Sequence, residues 1–206
     1  ASAYFPDIEV IHTGTPVRDE LEKLPSRQTV CEKFGLDPLK KTLLVMGGSQ
    51  GARRLNELVA EGTEGTAWQV LHLTGQADFE RLSEQVGKRD GYKVLAFCEG
   101  MAAAYAVSDF CVARSGASSL TELSHAGLPA LLVPFPFAAD DHQTANARVF
   151  EKAGAAILIH EKDLEAKTIT DMLSEIDDGI LKNMSESMLN LTNPAAAAQI
   201  VNVIEG

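Results

Sequence analysis

The sequence predicts an α/β fold, a Rossmann-like, doubly wound parallel sheet with helices on both faces. Three observations predict it. Short apolar runs alternate with segments of helical pattern along the 206 residues, and each parallel strand-to-strand crossover is normally made by a helix. The runs are nearly continuous in apolar character, as strands covered on both faces must be. Two of them open directly into glycine-containing turns that lead into helices: Val45-Met46-Gly47-Gly48-Ser49-Gln50-Gly51-Ala52 and Arg114-Ser115-Gly116-Ala117-Ser118-Ser119-Leu120-Thr121-Glu122.

Strands are expected at Ile8–His12, Thr42–Met46, Gln69–Thr74, Lys93–Phe97, Phe110–Ala113, Ala130–Val133 and Ala156–Ile159. The helices between and after them are expected near Ser26–Phe34, Ala52–Glu61, Ala77–Gly87, Met101–Val107, Ser118–Ala126, Asp141–Lys152, Asp163–Ile176, Ile180–Leu189 and Pro194–Ile204. Gly127-Leu128-Pro129 is a helix stop, with glycine in the left-handed closing position and proline just beyond. Gly154 ends the next helix in the same manner. No internal repeat or low-complexity segment interrupts the pattern, and residues 1–206 read as a single domain.

Composition narrows the function. A formal net charge of −11 argues against nucleic acid and against an anionic bilayer touching most of the surface. It leaves room for an anionic small molecule, because a nest of backbone N–H groups and one arginine can override a distant field. Cys31, Cys98 and Cys111 are odd in number and widely spaced, which fits a reducing compartment with neither a zinc site nor a disulfide framework; Cys111 is expected in the core. The longest apolar run, Ala126 to Ala139, is broken by Pro129, Pro134 and Pro136 and is too short to span a bilayer. No signal peptide is visible, and the opening Ala1-Ser2-Ala3-Tyr4-Phe5-Pro6 reads as a segment entered mid-chain.

In the first loop, Gly47 and Gly48 allow a sharp turn and Gly51 allows the helix to start close by. Ser49 and Gln50 then face the carboxyl edge of the sheet, where ligands bind in open α/β folds. The pattern is neither G-x-G-x-x-G nor a P-loop. In the second loop Gly116 permits close approach, and Ser118 and Ser119 can cap the helix and hydrogen-bond a phosphate. Glu122 shares their face and can accept both hydroxyls of a ribose. A Ser-x-x-Glu capping box is the competing reading of Ser119 and Glu122, although a cap would need neither Arg114 nor Gly116. A third cluster, Asp140-Asp141-His142-Gln143-Thr144-Ala145-Asn146, follows the exit Pro134-Phe135-Pro136-Phe137. His142, Gln143 and Asn146 there supply donors and acceptors suited to sugar hydroxyls. Arg18, in Thr15-Pro16-Val17-Arg18, can neutralise a pyrophosphate. His12, His72, His125 and His160 read as structural or exposed. Asp-x-Asp, H-E-x-x-H and G-x-S-x-G are absent, which speaks against a chelating sugar-nucleotide site, a catalytic metal and a nucleophile elbow.

Taken together, these motifs resemble the C-terminal half of the MurG family, the bacterial lipid-II-forming N-acetylglucosaminyltransferases of glycosyltransferase family 28, whose two halves form a GT-B fold. Gly47–Ala52 looks like the family's C-domain glycine loop, and Phe97-Cys98-Glu99-Gly100-Met101 with Ala102–Tyr105 like its uracil-reading segment. Arg114–Glu122 is similar to its phosphate and ribose motif. Asp141-His142-Gln143 with Asn146 is similar to its sugar-reading motif, and Glu151–Ala156 to the run that follows.

The resemblance implies the roles. UDP-GlcNAc would be the donor, with no cofactor and no metal. Backbone groups at Cys98 would read uracil, with Phe97 and Met101 packing nearby. Glu122 would hold the ribose diol. Arg18, Ser49, Ser118 and Ser119 would hold the diphosphate, with Gln50 and Gly116 beside them. Ala117, His142, Gln143 and Asn146 would contact the GlcNAc. Helix N-termini and arginine would stabilise the charge of departing UDP.

The resemblance further implies that the N-terminal half, with the lipid-linked MurNAc-pentapeptide acceptor site, the membrane-facing patch and the catalytic base, lies outside this chain. The whole protein would act peripherally at the cytoplasmic side of the cell membrane, and the chain alone would be soluble and inactive. One departure is Thr15, where the family usually has Asn; Arg18 is kept. A free-standing UDP-GlcNAc-binding subunit pairing with a membrane partner, or a related transferase with another lipid acceptor, are the alternatives.

Overall fold

A computed structural model describes residues 10–48, 52–138 and 141–205. Six strands, β1 (Thr42–Met46), β2 (Gln69–Leu73), β3 (Tyr92–Leu95), β4 (Phe110–Ala113), β5 (Ala130–Leu132) and β6 (Ala156–Leu158), form one sheet in the order β3-β2-β1-β4-β5-β6. Every pairing is parallel; Leu44 stands opposite Leu71 on one side and Cys111 on the other. This is the Rossmann order, in which the chain reverses its direction of travel across the sheet between β1 and β4.

The helices are α1 (Arg27–Phe34), α2 (Arg53–Gly62), α3 (Phe79–Val86), α4 (Met101–Ala106), α5 (Ala117–Ala126), α6 (His142–Lys152), α7 (Ala166–Glu175), α8 (Asp178–Leu189) and α9 (Ala196–Glu205). Alternation along the strands sorts the core into two layers. Leu43, Val45, Val70, Phe110, Val112 and Leu131 pack with Leu55 and Val59 of α2, Trp68, and Ile169 and Leu173 of α7. Leu44, Leu71, Cys111, Ala130 and Leu132 pack on the other face with Phe34 of α1, Tyr105 of α4, Leu120 and Leu123 of α5, and Met188 of α8. Each fully buried leucine is worth about 1.5–3 kcal/mol over leaving it in water.

Local chemistry sets the helix ends. Ser26 accepts from the Thr29 N–H at the start of α1, and Asp177 accepts from the Ile180 N–H at 2.8 Å at the start of α8. Gly127 closes α5 at φ 60°, ψ 29°, the left-handed stop expected from Gly127-Leu128-Pro129, and Gly154 follows α6 at φ 73°.

The structure departs from expectation in four places. Of the strand expected at Ile8–His12, the described part, from Val10, adopts no regular structure, and Ile11 is exposed. The segment instead runs over the end of α8, where the Asn193 side chain donates to the Thr13 carbonyl at 2.9 Å. The expected strand Lys93–Phe97 ends at Leu95, so Ala96 and Phe97 leave the sheet and reach the ligand edge. The expected helix Asp163–Ile176 is a 3-10 turn at Glu161–Asp163 followed by α7. Helix α5 begins at Ala117 with Gly116 at its cap position, so Ser118 and Ser119 are helical residues and cap nothing.

His72 is fully buried in β2 and is partnered. Its Nε2 lies 3.0 Å from Asn56 Oδ1 and its Nδ1 2.7 Å from the Tyr92 hydroxyl. Asn56 Oδ1 can only accept, so Nε2 carries the proton and Tyr92 donates to Nδ1. Asn56 passes the order on, donating to the Thr74 carbonyl and to Asp78 Oδ2. Burial holds the His72 pKa down at about 3. The unfolded chain therefore binds one more proton than the folded chain between about pH 6.5 and pH 3. Stability is fully present above pH 6.5 and falls as the pH drops through that window, by at most about 1.4 kcal/mol per pH unit from this group. Urea melts between pH 7 and 4 are expected to show this slope, and His72→Gln is expected to flatten it.

Candidate functional site

The reversal between β1 and β4 opens a crevice at their carboxyl ends, and the two glycine turns identified in the sequence leave the sheet there. At the first, a Cβ on Gly47 would lie 2.4 Å from the Ala52 Cβ, so only glycine lets the turn close against the helix start. Gly48 follows at φ 90°. Ser49, Gln50 and Gly51 lie outside the described residues. At the second, Gly116 has an ordinary φ of −67°, and a Cβ there would meet no protein atom within 4 Å. Neither packing nor backbone geometry demands glycine at 116.

Neither α2, α5 nor α6 has a side-chain cap, whereas the two capped helices, α1 and α8, stand outside the β–α units. The first backbone N–H groups of an uncapped helix lack partners and carry the positive end of the helix dipole. Ala117 and Ser118 are exposed and Ser119 is half-buried, so the N–H groups of α5 border open space.

A cavity of about 410 Å³ lies beside this edge. Met46, Leu73, Ala96 and Met101 give it apolar walls, Phe97 stands at its mouth with 73% of its surface exposed, and Cys98, Ser119 and Glu122 also line it, whereas Ala117 and Asn146 line a separate cavity. Burial pushes the Cys98 thiol pKa up, and the neutral thiol donates to the Gly100 carbonyl at 3.4 Å.

Glu122 is the one carboxylate among the cavity-lining residues, and both of its oxygens are held. Oε2 accepts from the Tyr105 hydroxyl at 2.7 Å and Oε1 from the Arg18 guanidinium at 3.1 Å. The Ser119–Glu122 capping box therefore does not form: the carboxylate turns into the cavity. Burial, reinforced by Glu122, pushes the Tyr105 phenol pKa up, so the phenol stays protonated and donates. Hydrogen bonding to Glu122 holds the Arg18 pKa above its ordinary value. Arg18 is more than half exposed at the crevice rim and also stands 3.6 Å from Glu20.

The third cluster borders the same edge. Ser115, fully buried, donates from Oγ to the Gln143 carbonyl at 2.8 Å, and its own carbonyl accepts from Asn146 Nδ2 at 3.2 Å. Gln143 Oε1 accepts from the Phe135 N–H at 3.0 Å. Part of the hydrogen-bonding capacity read as sugar-binding thus fixes α6 against the β4 exit. His142 is the exposed first residue of α6.

Arg114 corrects the expectation for its motif. It is buried, turned away from the crevice, and donates to the Val133 and Pro134 carbonyls at 3.2 and 3.1 Å while pairing with Glu161 and lying over the Phe135 ring. A guanidinium so engaged holds the β5 exit. Sequence reasoning missed Gly75 and Gln76, which line the cavity from a third strand exit, Thr74-Gly75-Gln76. It also left Tyr105 without a role; the signal was a single phenol in the alanine-rich helix Met101–Ala106.

The model of the glycosyltransferase family 28 C-terminal domain matches residues 42–201. Among curated relatives, one from Halorhodospira halophila is 40% identical over 199 residues, covering 93% of this chain and 55% of that protein. One from Thiobacillus denitrificans is 39% identical over 203 residues, covering 93% and 52%. Both are UDP-N-acetylglucosamine–N-acetylmuramyl-(pentapeptide) pyrophosphoryl-undecaprenol N-acetylglucosamine transferases. The chain thus spans about half the length of the curated relatives it matches. Among solved structures, MurG of Acinetobacter baumannii superimposes with a TM-score of 0.76 at 27% identity, covering 93% of this chain and 57% of that one. The calicheamicin glycosyltransferase CalG4, at 20% identity and a TM-score of 0.63, shares the fold, over 81% of this chain and 44% of its own.

The parallel sheet, its crevice and these likenesses define a GT-B-type glycosyltransferase domain. Within that class, the chain belongs to glycosyltransferase family 28, through the family's C-terminal domain.

Arg114→Ala is expected to cost about 3–5 kcal/mol of stability, because it strands Glu161 and frees two strand-exit carbonyls. A urea midpoint that falls at unchanged m-value would register the loss; an unaltered midpoint would contradict the structural assignment of Arg114.

Proposed function

We propose that this chain is the donor-binding domain of an inverting transferase that moves GlcNAc from UDP-GlcNAc to a lipid-linked MurNAc-pentapeptide in peptidoglycan synthesis. The observation that carries the reading is the Glu122 carboxylate, turned into an apolar-walled cavity beside the uncapped start of α5. A planar base fits between Met101 and the strand exits at Leu73 and Ala96, with the backbone at Cys98 within the lining to read its edge. The ribose diol then faces Glu122, as acidic residues receive ribose in other nucleotide folds. The diphosphate reaches the N–H groups at Ala117–Ser119, with Arg18 at the rim and Ser49 and Gln50 on the first glycine turn. GlcNAc extends toward His142, Gln143 and Asn146 at the start of α6.

In this mechanism the acceptor's C4 hydroxyl attacks the anomeric carbon from the face opposite the diphosphate. The C–O bond to UDP breaks, and the leaving electron pair goes to the β-phosphate oxygen. Helix dipoles and the guanidinium stabilise that charge as it develops. The base and the acceptor site belong to the part of the relatives that this chain does not span. There, too, lie the contacts that would hold the whole protein at the inner face of the cell membrane. No helix among the described residues is long and apolar enough to cross a membrane.

Calorimetric titration with UDP-GlcNAc, UDP-GalNAc and UDP-glucose tests the reading. Preferential binding of UDP-GlcNAc is expected, weakened by about 1–3 kcal/mol in Glu122→Ala as the ribose hydroxyls lose their acceptor. Equal affinity for all three sugars would remove the sugar assignment of α6. Unchanged affinity in Glu122→Ala would remove the ribose assignment.

A further inference from the structure

Tyr105 and Glu122 meet across adjacent helices, α4 and α5, at the wall of the same cavity. Tyr105 is only 3% exposed, and its ring belongs to the core layer with Leu120 and Leu123. For that packing a phenylalanine would serve equally. The hydroxyl is the addition, and its single proton has two possible acceptors: Glu122 Oε2 at 2.7 Å and the Met46 sulfur at 4.0 Å. The carboxylate takes it, in a short charge-assisted bond.

Glu122 needs such an anchor. A glutamate side chain has several rotatable bonds, and ordering it at the moment of binding costs affinity. Its other partner, Arg18, is 56% exposed, and surface ion pairs of that kind hold weakly. The buried phenol is therefore the contact that sets the plane and reach of the carboxylate. A carboxylate oxygen accepts more than one hydrogen bond, so Oε2 keeps capacity for a ligand hydroxyl while bound to Tyr105.

We propose that Tyr105 is a positioning residue for donor specificity. It pre-orients Glu122 to accept a ribose diol, and through Glu122 it makes the site prefer ribonucleotides over 2′-deoxyribonucleotides. The inference rests on the nucleotide-site reading above.

The test is a double-mutant cycle on the 206-residue chain, measuring calorimetric Kd for UDP and for 2′-deoxy-UDP in wild type, Tyr105→Phe, Glu122→Ala and the double variant. Tyr105→Phe is expected to weaken UDP about tenfold and 2′-deoxy-UDP by less than about threefold, narrowing the ribose preference. In the Glu122→Ala background the same change is expected to shift UDP affinity less than about twofold, because residues that act through one another are not additive. Equal losses for the two nucleotides, an equal loss with Glu122 absent, or tighter UDP binding by Tyr105→Phe would each reduce Tyr105 to a packing residue. Thermal melts verify folding, and Tyr105→Met, which also deletes the hydroxyl and fills irregular space, stands in if Tyr105→Phe melts below the assay temperature. A wild-type chain that binds neither nucleotide overturns the site itself, an outcome distinct from binding with an unmoved preference.

Discussion

The parallel pairing of β1 with both β2 and β4 is the constraint on which the rest depends. Once Leu44 sits between Leu71 and Cys111, the crossovers from β1 and β4 must leave in opposite directions across the sheet. The space between their exits cannot be filled by a connection, and both following helices, α2 and α5, aim their N-termini at it. A crevice at the carboxyl edge follows from strand order before any side chain is chosen. The side chains then line it, Met46, Leu73, Ala96 and Met101 with apolar surface and Glu122 with a carboxylate.

On the proposed function, that division of labour reconciles a net charge of −11 with an anionic donor. Positive potential at the crevice comes from backbone N–H groups of uncapped helices and from Arg18, each acting within a few ångströms. The acidic excess lies on the solvated surface, where screening weakens it beyond roughly 8–10 Å. Arginines bonded into the scaffold do other work. Arg114 spends its donors on strand-exit carbonyls and Glu161, and Arg27 grips both Asp109 oxygens and the Lys40 carbonyl at the amino edge of the sheet. Arg114 is committed to the scaffold through its two terminal nitrogens, while its buried Nε has no partner among the described residues.

The sheet was legible because each of its strands is a short apolar run between helical segments, a pattern that the order of residues exposes. Six of the seven expected strands are present, with shifts of a residue or two at their ends. Ile8–His12 misled because alternating apolar residues carry no information about whether a sheet edge is free to receive them. Cysteine placement was equally readable: Cys111 is fully buried, as its apolar run implied. Of the site, Phe97, Cys98, Met101, Ser119 and Glu122 come together in one cavity as their motifs indicated. The direction of a side chain was not legible. Arg114, Ser115 and Gly116 are consecutive, yet the first points into the scaffold, the second locks α6 and the third borders open space. Motif membership treats the three alike; only the backbone at the end of β4 separates them.

Side chains tie the exits of β4 and β5 to one another and to α6. In the second turn, Arg114 and Ser115 bond the scaffold and Gly116 borders open space, so the start of α5 inherits the rigidity of the sheet. Ser115 ties the turn to Gln143 and Asn146, Gln143 ties α6 to Phe135, and Arg114 ties the Phe135 loop to Glu161. Each bond closes a loop between strand exits that the sheet already holds in register. Positional error at α5 and α6 therefore does not accumulate along the chain. A site assembled from loops on three separate strands can hold its groups within the few tenths of an ångström that hydrogen bonding to a bound sugar nucleotide demands.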